Sequence, residues 1–442
     1  MKKIDNEKGA HQHLRWVSLD NAAKIYPAAK RRDWVNVFRV SATLVDDVDR
    51  AGLQSALERT VPRFPTIAAR LRRGVFWYYI EEVSHAPEII DEREYPLVRM
   101  NRRELGTCSF RVVIYGKRIA LEVFHGLTDG TGAMIFLKTL VAEYVEQRYC
   151  VKVPAECGIL SRDEEASVEE LEDSFPKNAG GVKASRKESD AWRIYGEREV
   201  GQFLNLTCFK LPVEKVLEMS HGYGVTATVF ISALIAKAIL ELQKERVKNP
   251  RRRKAVKILI PINLRRLYGS RTLRNFAMYS IPELDPRLGD YSFEEICSII
   301  NHRLALDNTA KSMSKMIETN VASERMLILR VMPLWVKNIA MKAVFDAVGE
   351  KKSCLSVSNL GLIKLPDVMT PYVARFDFIL GVQATAPYNC GVVSYGDTVY
   401  INFIRNIKEP LIERALQKVM RDMDIIATVE SNRGDMPIKK LK

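Results

Sequence analysis

Two hydrophobic periods run along this chain, and each predicts a kind of element. A period of two marks strands. Residues 34–44 set Trp34, Phe38, Val40, Ala42 and Leu44 against Val35, Val37, Arg39, Ser41 and Thr43. Residues 109–115 and 118–124 form the arms of a hairpin, joined by Gly116 and Lys117, a two-residue turn of suitable composition. A period near 3.6 marks helices. One covers 48–61, capped by Asp46 or Asp47 and broken by Pro62. Another covers 133–149, with Met134, Leu137, Leu140, Val141, Tyr144 and Val145 inward. Between them, 67–71 reads as a helical turn, Arg72-Arg73-Gly74 as a corner and 75–80 as a strand.

The pattern changes over 151–201. Residues 161–174 are strongly acidic, and a Gly180-Gly181 pair and a Lys/Arg/Ser run follow, which predicts a linker with a boundary near residue 180. The first domain is then 1–180 and the second 181–442. The second predicts strands over 203–211, 254–262, 274–281, 355–361, 375–380, 391–395 and 398–404. It predicts helices over 213–219, ended by Gly222 in a left-handed conformation, from Thr226 or Thr228 through Leu242, and over 411–423. A long helical region over 293–348 is interrupted near 309–324 and at Pro333.

Composition narrows the class. With 442 residues, 47% apolar and 28% charged, the chain is an ordinary globular protein of two domains. Its seven cysteines are scattered without a Cys-x-x-Cys pair, which suits a reducing compartment. The first residues carry no apolar leader, so a cytoplasmic location is expected. The most apolar stretch, 326–348, holds Arg330, Lys337, Lys342 and Asp346. It predicts a buried or surface amphipathic helix with Met332, Trp335, Val336, Ile339 and Ala343 on one side and the lysines largely apart from them, contact with a membrane interface being the alternative.

A net charge of +14 raises the question of nucleic acid. No helix-turn-helix, zinc module or aromatic-basic alternation supports it, and the basic residues are dispersed. One cluster stands out, Lys248, Arg251, Arg252, Arg253, Lys254 and Lys257, between a helix and a strand. It reads as a solvated loop or as a site for a polyanion.

The candidate chemistry lies where the second hairpin arm ends, at Phe124-His125-Gly126-Leu127-Thr128-Asp129-Gly130-Thr131-Gly132. Three glycines in seven residues point to backbone angles that a side chain would forbid. One reading is a core histidine capping a strand. A second is a metal pair of His125 and Asp129, but four-apart spacing aligns them only on a helix and no further ligand is near. A third is a general base, since imidazole titrates near neutral pH.

The His-x-x-x-Asp-Gly pattern after an apolar strand resembles the active-site motif of the coenzyme A-dependent acyltransferase superfamily. That group includes chloramphenicol acetyltransferase, alcohol acetyltransferases, polyketide-associated acyltransferases and condensation domains. The order strand, helix, strand, hairpin, His loop and long helix is similar to the first half of that group. Pro261-Ile262-Asn263-Leu264-Arg265, Asn275-Phe276, Ser358-Asn359-Leu360-Gly361 and Val392-Val393-Ser394-Tyr395-Gly396 resemble its second half. Phe124 replaces the first histidine of condensation domains, and no Asp-Phe-Gly-Trp-Gly motif of plant-type relatives occurs.

The resemblance implies an α/β layered sandwich of two chloramphenicol acetyltransferase-like subdomains, in pseudo-dimeric arrangement, with a tunnel between them. It implies direct transfer of an acyl group from acyl-coenzyme A to an alcohol or amine, with His125 as general base and acyl-coenzyme A as cosubstrate. No metal and no permanently bound cofactor are expected. Asp129 and Gly130 would fix the loop, Asp129 pairing with Arg265 or Arg266. Ser358 and Asn359 would be candidate oxyanion donors, Thr128 and Thr131 candidate channel residues, and Arg251, Arg252 and Arg253 candidate contacts for the coenzyme A phosphates. An acyl carrier protein is the alternative donor, a Cys108 nucleophile the alternative mechanism, and a non-catalytic binding protein of the same fold the alternative function.

Overall fold

The computed structural model describes residues 16–28, 36–92, 95–182, 189–326, 331–344, 351–383 and 386–433. Trp34, Val35 and Arg330 of the sequence reading lie outside them, as do residues 345–348. Sixteen strands are described: β1 Trp16–Ser18, β2 Val37–Leu44, β3 Ala69–Arg73, β4 Tyr78–Glu82, β5 Ile90–Asp91, β6 Phe110–Tyr115, β7 Arg118–Phe124, β8 Asn205–Pro212, β9 Val256–Asn263, β10 Ala277–Ser280, β11 Glu283–Leu284, β12 Leu355–Leu362, β13 Val373–Ile379, β14 Tyr388–Tyr395, β15 Thr398–Arg405 and β16 Thr428–Ser431.

The first half is built on a sheet of order β13-β2-β7-β6-β5. Helices α1 (Arg50–Thr60) and α2 (Gly130–Tyr149) cover one face, and Phe38, Val40, Leu121, Val123, Leu137, Leu140 and Leu53 make a single core with it. The second half is a mixed sheet of order β10-β9-β12-β14-β15-β8-β16, with β11 on β9. It buries α3 (Ala227–Arg246), α4 (Phe293–Asp307) and, further along the chain, a helix over Leu411–Asp422. The layered α/β architecture follows.

The halves share a strand. β13 comes from the second half and pairs antiparallel with β2, Phe378 opposite Val40. The back of the first sheet meets the second through Val37, Phe124, Ile379, Leu204 and Ile404. At this seam Gly391 of β14 leaves no room for a side chain, since a Cβ there would lie 2.2 Å from the Phe378 carbonyl oxygen.

Local chemistry moved several expected elements. The cap of α1 is Asp49, whose carboxylate accepts the Gly52 amide at 2.7 Å. Residues 69–71 belong to β3 because Arg70 and Arg72, two positions apart on one strand face, both reach Glu81 on β4 at 2.7 and 2.8 Å. The left-handed residue after the helix Val213–Gly222 is Gly224, φ +64°, and not Gly222. Residues 310–325 form a helix, α5 (Ala310–Arg325), and the interruption before it is Asn308-Thr309, with Thr309 as cap. In α6 (Leu334–Val344) the expected faces are reversed. Lys337 is buried, its ammonium 3.7 Å from the Trp77 ring centroid and bonded to the Phe76 carbonyl, while Trp335 and Ile339 are exposed. Among the described residues no single helix is long and apolar enough to cross a membrane.

Candidate active site

The His loop is held from three directions. β7 delivers it in register with β2, and the His125 amide donates to the Asn36 carbonyl at 2.9 Å. Asp129 then caps α2, accepting from the amides of Thr131 and Gly132 at 3.1 and 3.2 Å. From the second half, Arg265 grips the same carboxylate with both Nη atoms, at 2.8 Å to Oδ2 and 3.1 Å to Oδ1, and the Phe276 amide adds a bond of 3.0 Å. Arg265 is itself oriented by the Thr272 and Arg274 carbonyls, at 2.7 and 2.5 Å. Burial alone would raise the Asp129 carboxyl, but the Arg265 charge and these hydrogen bonds overcome it and hold it below the usual carboxylate range.

The glycines work by closeness. None of Gly126, Gly130 and Gly132 has a positive φ, contrary to the expectation of forbidden angles. A Cβ on Gly130 would meet Leu360 at 2.9 Å and Phe378 at 3.0 Å, and one on Gly132 would meet Thr128 Oγ1 at 2.1 Å and the Leu273 oxygen at 2.3 Å. The second half therefore presses directly on the start of α2. That helix is also buried well beyond its apolar stripe. Lys138 and Glu143 are inside, and Glu143 is paired with Arg162 at 2.8 Å.

The His125 ring is half-buried in an aromatic slot. Tyr26 stacks on it, with centroids 4.6 Å apart and planes at 14°, and Phe38 meets it edge-on at 4.9 Å. Nδ1 lies 3.1 Å from Asn275 Oδ1. The Asn275 amide nitrogen donates at 3.1 Å to the His125 carbonyl and at 3.1 Å to Asp20 Oδ2. These two bonds use both amide protons, so the atom facing Nδ1 is an acceptor. Nδ1 therefore carries the ring proton, and Nε2 is left with its lone pair. Burial lowers the imidazole pKa, opposed by the residue's own carbonyl, the Asp129 charge and the Asn275 contact.

The other predicted residues separate into two groups. Thr128 is fully buried and donates to the Leu273 carbonyl, so it braces the underside of the loop and does not line a channel. Thr131 accepts from Asn263 at 3.2 Å. Asn359 bonds Thr228 at 3.0 Å and the Gly361 amide at 2.8 Å, closing the end of β12, and Ser358 lies opposite Gly391. Among the described residues neither hydrogen-bonds His125. Arg266, second candidate for Asp129, makes no such contact among the described residues. Arg251 and Arg252 are exposed on a turn and Arg253 bonds the Val247 carbonyl. β9 separates that turn from Asn263 by roughly 23 Å, at about 3.3 Å per residue. The Cys108 thiol, near the start of β6, is pushed up to about 11 by burial.

Three members of the site had no role in the sequence reading. Asp20 and Tyr26 were not singled out, and Asn275 entered only through the Asn275-Phe276 pair. Asp20-Asn21-Ala22-Ala23 carries a local turn signal, which the structure realises as the Ala23 amide bonded to Asp20 Oδ1 at 2.7 Å.

No family model matches the chain, and no curated protein does. Solved structures do share its architecture. Trichothecene 15-O-acetyltransferase from Fusarium sporotrichioides superimposes with a TM-score of 0.58 at 14% identity, over 95% of this chain and 96% of that one. TRI101 from F. sporotrichioides, complexed with coenzyme A and T-2, gives 0.62 at 10% identity, over 94% and 99%. The first condensation domain of the CDA synthetase gives 0.58 at 15%, over 94% and 99%. The fold is that of the two-subdomain acyltransferases and condensation domains. In this fold the His loop, the Arg265 clamp and the Asn275 contact all lie where the two halves of the chain meet.

Proposed function

We propose that this protein is an acyltransferase that moves an acyl group from a thioester to a hydroxyl or amine. His125 Nε2 takes the acceptor's proton as the acceptor attacks the thioester carbonyl. A bond forms from the acceptor to the acyl carbon, the carbon–sulfur bond breaks, and the proton passes to the leaving thiolate. The observation that carries this reading is the Asn275 contact at Nδ1, which leaves Nε2 as the proton acceptor. A general base of this kind contributes roughly 10²–10⁴ in rate. Asp129 and Arg265 hold the loop and do not touch the ring's open nitrogen. Ser358 remains the candidate donor to the tetrahedral oxyanion, where one donor is worth about 10²–10³.

Acyl-coenzyme A is the preferred donor, because a structural neighbour was crystallised with coenzyme A. The likeness to a condensation domain and the net charge of +14 support an acidic carrier protein as the second donor. The seven unpaired thiols fit a reducing compartment. Mixing the protein with acetyl- and longer acyl-coenzyme A and a panel of alcohols and amines, and following free thiol, tests the reading. Acceptor-dependent release that falls at least about 100-fold in His125→Ala is expected. Equal release by both proteins, with ligand binding retained, overturns it.

A further inference from the structure

The segment Trp16–Ala28 lies against the His loop and supplies an acidic side chain, Asp20, that bonds Asn275 behind the ring. Asp20 is fully buried. Its Oδ2 accepts from the Asn275 amide nitrogen of the side chain at 3.1 Å and from the Asn275 backbone N–H at 3.3 Å, and Arg274 Nε stands 3.9 Å away. Arg274 is anchored in turn on the Ser18 carbonyl at 2.5 Å. Six residues after Asp20, Tyr26 stacks on the imidazole, and Asn36 holds the Tyr26 carbonyl at 2.8 Å. One short piece of chain thus sets both the plane of the ring and the amide that faces its edge.

We infer that Asp20 is a positioning residue, which acts through Asn275 to fix His125 in the tautomer with the proton on Nδ1. This rests on the acyltransferase reading for its consequence, and not for its geometry. A primary amide has two ends of similar shape. Without the Asp20 carboxylate only the His125 carbonyl still holds the amide nitrogen, and the Asn275 side chain can turn over and present its NH₂ group to Nδ1. The ring proton then moves to Nε2, where it blocks the acceptor. A carboxylate at Oδ2 prevents this, because it accepts a proton from the amide nitrogen and has none to give to the amide oxygen. Burial, with the Asp173 charge, pushes the Asp20 carboxyl up to about 6, against the pull of Arg274.

The experiment reads the tautomer directly. The whole protein is labelled with ¹⁵N-histidine, and the His125 ring nitrogens are assigned by their loss in His125→Ala. The expected wild-type spectrum shows protonated Nδ1 and bare Nε2 at pH 7.5. Asp20→Asn and Asn275→Ala are expected to shift the ring toward protonated Nε2. In the same variants kcat for thiol release should fall about 10- to 100-fold with KM for acyl-coenzyme A little changed. A merely structural role for Asp20 would lower the amount of folded protein and leave the tautomer of the folded fraction as it was. An unchanged tautomer in a folded Asp20→Asn protein overturns the inference, and so does a wild-type ring protonated on Nε2, which needs no variant. A wild type with the expected tautomer, an expected shift in Asp20→Asn and no thiol release with any donor upholds the positioning role and sinks the acyltransferase reading instead.

Discussion

Arg265 and Asp129 meet fork to fork, at 2.8 and 3.1 Å, although 136 positions separate them in the chain. The pair joins the second half of the protein to the first turn of α2. Removing one member leaves the other buried and unpaired, a loss of about 3–5 kcal/mol. Asp129→Ala is therefore expected to lower the urea midpoint sharply as well as the rate. Arg265→Lys should rescue little, because an ammonium cannot reproduce the two parallel bonds. A urea midpoint within error of wild type for Asp129→Ala would contradict this.

Gly132 and Gly222 make an opposed pair of tests. Gly132→Ala places a methyl 2.1 Å from Thr128 Oγ1 and 2.3 Å from a backbone oxygen, so the loop must move. The expected cost is roughly 1–3 kcal/mol by chemical denaturation. Gly222 ends a helix with nothing within 4 Å of the added atom and no positive φ. Gly222→Ala is expected to be neutral or more stable by up to about 1 kcal/mol.

The rate should hold up in mild acid. His125 accepts a proton only when its ring is neutral, and burial moves its pKa below the usual 6.5. A lowered pKa means that the ring stays neutral to lower pH. The acid limb of kcat/KM for thiol release should accordingly lie below pH 6.5. A limb that bends above 6.5 would point to a different titrating group or to an exposed ring.

Cys108 offers the sharpest contrast with a base mechanism. Its thiol is pushed up to about 11 by burial, so almost none is thiolate at neutral pH. Cys108→Ala should release thiol within about twofold of wild type, the effect expected of a small, half-buried hydrophobe. Covalent acyl transfer to Cys108, seen by intact-mass measurement after mixing with acyl-coenzyme A, would refute this.

The His loop was legible because its signals are local. A strand of period two, a glycine corner and a helix of period 3.6 follow one another from Arg118 to Tyr149, and each can be read without knowing the rest. The resemblance carried Asp129 and Arg265 further than their spacing could. The Asp20–Asn275 contact was not legible, because two polar residues 255 positions apart leave no periodic trace. The same holds for the buried Lys138 and Glu143, since nothing local announces that Arg162 of the acidic segment folds over Glu143. The reversed faces of α6 failed for a related reason. Hydropathy ranks tryptophan above lysine, and cannot anticipate a Trp77 ring waiting to receive Lys337.

The strand β13, paired with β2 from Val373 to Ile379, has a consequence for how the protein comes into being. A ribosome releases β2 early, and the edge that β13 will cover stays bare until nearly the whole chain has emerged. An unpaired edge is a template for other chains. A fragment cut at residue 180 would carry that open edge permanently, and would associate through it. The assembled protein is equally bound by the exchange. Its β2 and β13, which come from the two halves, cannot part without breaking a backbone ladder.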